Sequence, residues 1–177
     1  MKNFEDFEIQ FAGLKEGKHH FEYHVDNAFF ALFEYEEFNS ADVDVEVLLE
    51  KKPNLLEFHF SVRGNVNVYC DVSNEPFDQP IDGNMNLVVK FGDEFREEEN
   101  NLIIIPQSAH QVEIQQYVYE AIVLSVPLKK VHPGVMDGTL ESEILDKLEE
   151  LSPGNPKENK NETDPRWDKL KDLLNEK

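Results

Sequence analysis

Apolar and polar residues alternate over much of the first two-thirds of the chain, and a period of two is typical of half-buried β-strands. The strands that this pattern predicts cover residues 7–14, 19–25, 43–49, 56–60, 66–70, 84–91 and 102–105. On the second of them, Phe21, Tyr23 and Val25 fall on one face, opposite to His20 and His24. Gly64 and Asn65 interrupt the alternation, which predicts a bulge or a hairpin turn at that point.

The hydrophobic period changes to that of a helix after residue 113. A helix is predicted over residues 114–126, where Pro127 stops it, and another over 139–151, with Leu140, Ile144 and Leu148 on one face. Residues 28–33 suit a short helix that begins at Asp26-Asn27, but they also suit a buried strand.

The chain ends in a second amphipathic pattern. Residues 152–163 are polar and predict a flexible linker, and Asp164-Pro165 is a favourable helix start. A helix over 164–177 is too short to be stable alone in water, so we expect it to dock on a partner or on its own body. Its candidate partner-binding residues are Asp164, Pro165, Arg166, Trp167, Leu170 and Leu174.

These elements predict an α+β fold. We expect an antiparallel curved sheet or a partly open β-barrel, with two packed helices and a tethered C-terminal helix. The predicted organisation is a body over residues 1–151, a linker over 152–163 and a terminal helix over 164–177.

The net charge of the chain indicates which class of partner the protein can bind. The chain has 17 basic and 37 acidic residues, a net charge of −20, and residues 1–151 hold 31 of the acids but 11 of the bases. Such a body repels phosphate backbones and attracts basic proteins, so we expect no direct RNA contact by the body. Ribosomal proteins are the commonest basic proteins in a cell, so they are natural partners for an acidic body. The alternative is that the acidity only maintains solubility.

Targeting signals are not evident in the sequence. The first eleven residues carry acids where a secretory signal has basic residues, and the apolar runs are much shorter than the ~20 residues of a membrane span. A single Cys excludes an internal disulfide. We therefore expect a cytoplasmic protein without membrane contact.

Three segments together resemble one known family. Residues 62–71 (VRGNVNVYCD), followed by Pro76-Phe77, resemble the central motif of the YceD family, the large ribosomal RNA subunit accumulation proteins. Residues 122–130 (IVLSVPLKK) and the segment that begins at Asp164 are similar to two later parts of that family. The resemblance implies a role in 23S rRNA accumulation and large-subunit biogenesis, with Gly64, Cys70, Asp71 and Pro76 as structural motif residues.

The chain departs from the family at a cluster of cysteines. Many relatives carry cysteines at spacings that look like zinc ligands, but here Ser73 takes the second position and residues 131–138 contain no Cys. One Cys with scattered histidines cannot supply four soft ligands. His20 and His24 would stand ~13 Å apart on a strand, too far to chelate one ion. We therefore expect no metal and no cofactor.

Catalytic motifs are also missing from the sequence. It contains no G-x-S-x-G, no H-E-x-x-H and no glycine-rich phosphate loop, so we expect a protein that is not an enzyme. Cys70 ends an alternating strand, which favours a buried side chain over a reactive thiol, and no nearby base is expected to lower its pKa.

The combined hypothesis is a non-catalytic factor for the large ribosomal subunit. Its acidic body would bind a basic ribosomal protein or a pre-50S particle, and the C-terminal helix would add hydrophobic anchorage. The alternative is a small-molecule-binding β-barrel with an apolar pocket, which would require a cavity of several hundred Å³.

Overall fold

A computed structural model describes residues 7–99 and 101–152, and these residues form an α+β fold, as predicted. Its strands are β1 (Glu8–Gln10), β2 (Gly17–Asp26), β3 (Ser40–Lys51), β4 (Leu55–Tyr69), β5 (Pro76–Gly92), β6 (Arg96–Glu98), β7 (Leu102–Pro106) and β8 (Gln111–Glu113). Its helices are α1 (Asn27–Ala31), α2 (Gln115–Ser125), α3 (Pro133–Met136) and α4 (Glu143–Leu151). No described helix is long and apolar enough to cross a bilayer.

Six strands form one open, mostly antiparallel sheet in the order β2-β3-β4-β5-β7-β6. The β5–β7 pair is parallel, whereas the other strand pairs of this sheet are antiparallel, as expected. β7 can run parallel to β5 because the chain between them first forms β6. β6 pairs antiparallel with β7, so β7 lies between β5 and β6 in the sheet. A second, two-stranded sheet joins β1 to β8.

The long strands bury one face and expose the other. On β2, Val25 is buried and Phe21 and Tyr23 are half-buried, while His20 and His24 are exposed, as the alternation predicts. Residues of β1, β8, α1 and α2 complete the same hydrophobic core. The largest fully buried side chains include Phe7, Ile9, Phe29, Leu49, Leu56, Phe58, Phe60, Leu87, Ile114 and Ile122.

The bulge or hairpin turn predicted at Gly64 and Asn65 is wrong. β4 runs unbroken through this point, and Gly64 pairs with Val43 on one side and Ile81 on the other. A Cβ atom on Gly64 would meet the Asp42 carbonyl oxygen and would lie 2.7 Å from the Val43 Cα. The glycine therefore permits a close approach between β3 and β4 within the strand.

The predicted helix at residues 28–33 forms as α1. Asp26 caps it, since its carboxylate accepts a hydrogen bond of 3.1 Å from the Ala28 N–H. Phe29 and Phe30 are buried, and Phe30 contacts Phe38 with a ring separation of 5.0 Å. These aromatic contacts explain why an apolar segment forms a short helix at the end of β2.

The helix predicted over residues 114–126 forms as α2 and packs against β4 and β5. Its last residue, Ser125, lies so close to Gly83 of β5 that a Cβ atom there would approach the Ser125 Cβ to 2.8 Å. Val118, Ala121 and Ile122 form its buried face. This contact supports the prediction of a helix packed on the sheet.

The helix predicted over 139–151 is shorter than expected. α4 begins at Glu143, because Ser142 caps it by accepting a hydrogen bond from the Ile144 N–H. Leu140 lies before the helix, and its N–H donates to the Gly134 carbonyl oxygen at 2.9 Å. α4 belongs to a separate unit that begins at Glu141. Apart from residue 152, the predicted linker and terminal helix lie outside the described residues.

Candidate functional site

The exposed face of strands β2 to β5 is the first candidate for binding. The register places His24, Asp44, Arg63 and Asp82 in one row across the four strands. The His24 Nδ1 lies 3.0 Å from an Asp44 carboxylate oxygen, and Arg63 donates to Asp82 at 3.2 Å. Acidic side chains outnumber basic ones on the exposed face of β2 and β3, so this face carries part of the negative charge that composition predicts for the body.

Several acids on this face stand directly opposite one another. Glu22 pairs with Glu46 and Asp26 with Asp42 across the β2–β3 ladder. Like charges at such positions are destabilising, typically by roughly 0.2–1 kcal/mol. A cation at this face would relieve the repulsion.

A tight turn after β4 contains Cys70 and is built around its sulfur. The N–H groups of Val72, Ser73 and His132 donate to the Cys70 Sγ at 3.4, 3.5 and 3.3 Å. The turn is closed by Cys70 itself, whose N–H donates to the Glu75 carbonyl oxygen at 2.9 Å. One sulfur thus connects the turn to the segment between α2 and α3.

Asp71 strengthens the same connection. Its carboxylate accepts a 2.7 Å hydrogen bond from the Lys130 N–H, and its own N–H donates to the Lys130 carbonyl oxygen at 2.8 Å. The Phe77 ring contacts the His132 ring edge-on, with centroids 5.4 Å apart. Distant parts of the chain therefore meet at the turn.

Cys70 is buried, with 2% of its surface exposed, as the sequence predicts. Burial raises the pKa of the thiol, but the hydrogen bonds from the N–H groups of His132, Ser73 and Val72, with the Ser73 hydroxyl, lower it to about 7. The sequence offers only a neighbouring base as a possible cause of a lowered pKa. The cause in the structure is instead this set of hydrogen bonds, mainly from backbone N–H groups.

An open acidic cleft lies beside this turn. Its volume is about 660 Å³, and Glu34, Glu36, Glu37 and Asp71 line it together with Lys130. The cleft also contains the exposed ring of Tyr69. The sequence alone does not show that Glu34, Glu36 and Glu37 meet the Cys70 turn, because only the fold brings these segments together.

The Cys70 turn and the Lys130 segment lie within a part of the chain that matches a known sequence family. A family model described as "Large ribosomal RNA subunit accumulation protein YceD" matches residues 58–174, about two-thirds of the chain. The chain belongs to the YceD family. No curated protein and no solved structure matches the chain.

The YceD family match confirms the resemblance and includes all of the suggested motif residues. Gly64 lies where β3 and β4 approach closely, Cys70 and Asp71 form the turn, and Pro76 is the first residue of β5. The family name implies involvement in accumulation of large-subunit ribosomal RNA. The family is known for that role and not as a family of enzymes.

A zinc site of the kind that the family resemblance suggested does not fit the residues present here. Ser73 is buried and offers a hydroxyl instead of a second thiolate, and this hydroxyl accepts a 3.4 Å hydrogen bond from the Glu75 N–H. The His132 Nδ1 already accepts a 2.9 Å hydrogen bond from the Gly134 N–H. The described residues contain no cluster of three or more His, Cys, Asp or Glu side chains that could hold a metal ion.

The predicted partner-binding residues of this YceD protein lie outside the described residues, although the family match extends over them. They remain a prediction. His20 and His24 lie on the exposed face, as predicted, where His24 interacts with Asp42 and Asp44 at 3.7 and 3.0 Å.

Proposed function

We propose that the protein is a non-catalytic factor that supports 23S rRNA accumulation by binding a basic ribosomal protein or a pre-50S particle. The observation that carries the proposal is the concentration of acids on the exposed face of β2 and β3, including the opposed pairs Glu22–Glu46 and Asp26–Asp42. Membership of the YceD family supports the ribosomal context.

The proposed division of labour has two parts. The acidic face speeds encounter with the partner, because complementary charge mainly raises the association rate. The terminal segment supplies an apolar anchor through Trp167, Leu170 and Leu174. Neither part requires the body to touch RNA directly.

The test is copurification of the tagged full-length chain from cell extract at about 50 mM and about 500 mM salt. We expect large-subunit proteins or precursors at low salt and a clear loss at high salt. A chain that ends at Pro153 should retain less partner, as should the full chain with Trp167→Ala and Leu170→Ala. Recovery of no ribosomal component at low salt would contradict the proposal.

A small-molecule-binding barrel has less support. The sheet is open, and residues such as Phe58, Phe60 and Leu87 fill its inner face. A cleft of about 430 Å³ lies between β7 and the start of α2, but Glu97 and Glu113 are among its lining residues. A cleft of that volume is large enough for a small ligand. A molecule that copurifies with the protein and contacts this cleft would favour the alternative.

A further inference from the structure

β2 forms one edge of the six-stranded sheet. β3 pairs with one side of it, and the structure describes no strand on the other side. Within residues 7–99 and 101–152, no backbone hydrogen bond outside the β2–β3 ladder reaches residues 17–23. Such an edge presents a row of N–H and C=O groups that can pair with another extended chain.

The charge beside this edge selects the kind of chain that fits. The exposed face of β2 and β3 presents the acids Glu22, Asp26, Asp42, Asp44, Glu46 and Glu50, with one Lys, Lys18, opposite Glu50. A strand added beside β2 would place every second side chain on this face, next to Glu22 and Asp26. Lys or Arg at those positions would offset the repulsion within the two like-charged pairs.

The opposite face of the edge is apolar. Phe21 and Tyr23 point to the core side but are only half-buried, and the Tyr23 ring stacks on Phe7 at 5.0 Å. Burial raises the pKa of Tyr23 to about 12, which fits a mainly apolar setting. The remaining side chains of an added strand would therefore be apolar.

We propose that the free edge of β2 accepts an extended segment of the basic partner as a seventh strand, with Lys or Arg alternating with apolar residues. This inference rests on the proposed function and adds the mode of binding. A second copy of the chain is a poor occupant, because its net charge is also −20.

The probe is an end-capped octapeptide in which Lys and Val alternate. Two further peptides carry N-methyl groups on either all Lys or all Val amides, so that each keeps the charges but loses the N–H donors of one edge. We expect the parent peptide to slow hydrogen exchange of outward amides in residues 17–23 by at least about tenfold. One N-methylated peptide should lose binding and the other should keep it.

Two matched protein variants test the charge. Glu22→Gln with Asp26→Asn removes two charges beside the edge, and Asn retains the capping function of Asp26 at α1. This variant should bind the parent peptide about three- to tenfold more weakly at low salt. The control, Asp93→Asn with Glu94→Gln, removes two charges from an exposed loop and should change binding less than about twofold.

Four results would overturn the inference. Equal binding of both N-methylated peptides would mean that charge alone holds them. Slow exchange of the edge amides in the monomeric free chain would mean that its own residues occupy the edge, and dimerisation with protected edge amides would indicate a second copy. If ribosomal components copurify but the peptides leave β2 unprotected, the edge mode fails while the proposed function stands. If the peptides protect β2 but no ribosomal component copurifies, the proposed function fails while the edge mode stands.

Discussion

At the scale of single residues, the Cys70 thiol is subject to two opposing effects. Burial disfavours the thiolate, and three backbone N–H groups at 3.3–3.5 Å favour it. The balance places the pKa at about 7, below the ordinary value of 9.0. Cys70 therefore changes its charge near neutral pH inside a turn that connects two distant segments.

The pH dependence of stability follows from that pKa. Between pH 7 and 9 the unfolded chain holds a proton on the thiol that the folded chain has released, so the contribution of Cys70 to stability increases as pH rises and is lost as pH falls through about 7. We expect the difference in free energy of unfolding between the wild type and Cys70→Ala to grow from pH 6 to pH 9. Denaturant titrations would measure it, and a constant difference would contradict the prediction.

Gly64 gives a second prediction at this scale. Because a Cβ atom would meet the backbone of Asp42 and Val43, Gly64→Ala should lower the free energy of unfolding by about 2–3 kcal/mol. Gly13→Ala is the matched control, since nothing lies within 4 Å of a Cβ atom there and the change should stay within about 1 kcal/mol. Equal effects of the two substitutions in chemical denaturation would argue against a close approach at Gly64.

At the scale of elements, the opposed acids of β2 and β3 repel one another and lower the stability of this strand pair. Glu22→Gln should raise the free energy of unfolding by about 0.2–1 kcal/mol at low salt, because it removes the repulsion with Glu46. The gain should shrink as salt rises. Glu94→Gln, on an exposed loop, serves as the control and should have little effect. Destabilisation by Glu22→Gln, measured by thermal or urea unfolding, would show that Glu22 makes favourable contacts instead.

Alternation in the sequence predicted β2, β3, most of β4 and the second half of β5, because each strand buries one face and exposes the other. It did not predict the continuity of β4 at Gly64, since a glycine in a strand resembles a turn residue until its neighbours are known. The parallel β5–β7 pair and the three-residue strand β8 depend on long-range pairing, which leaves no local period.

Parts of the candidate site were equally hidden from local reasoning. The acidic face followed from composition and alternation. The hydrogen bond from the His132 N–H to the Cys70 Sγ joins residues 62 positions apart, and the cleft at Glu34 and Asp71 depends on the same folding. Only the assembled fold shows that these groups meet.

At the scale of the whole molecule, the charge excess is confined to residues 1–151, while residues 152–177 hold six acids and six bases. Binding of naked RNA by this body should therefore be negligible at about 150 mM salt. Gel-shift titration of the chain that ends at Pro153 against a 23S rRNA fragment would measure this, with a basic RNA-binding protein as a positive control. Tight binding that resists added salt would reject the charge argument.

The pairing of β1 with β8 has a consequence for how the chain matures. Glu8 lies opposite Glu113, and the Gln111 side chain donates to Glu8 at 2.7 Å, so two segments about a hundred residues apart must find each other. The successive pairs from β2 to β5 can form while translation is still in progress, but β1 must wait until β8 has left the ribosome. Until then Phe7 and Ile9 lack their final cover, and a nascent chain stalled before β8 would be a substrate for chaperones.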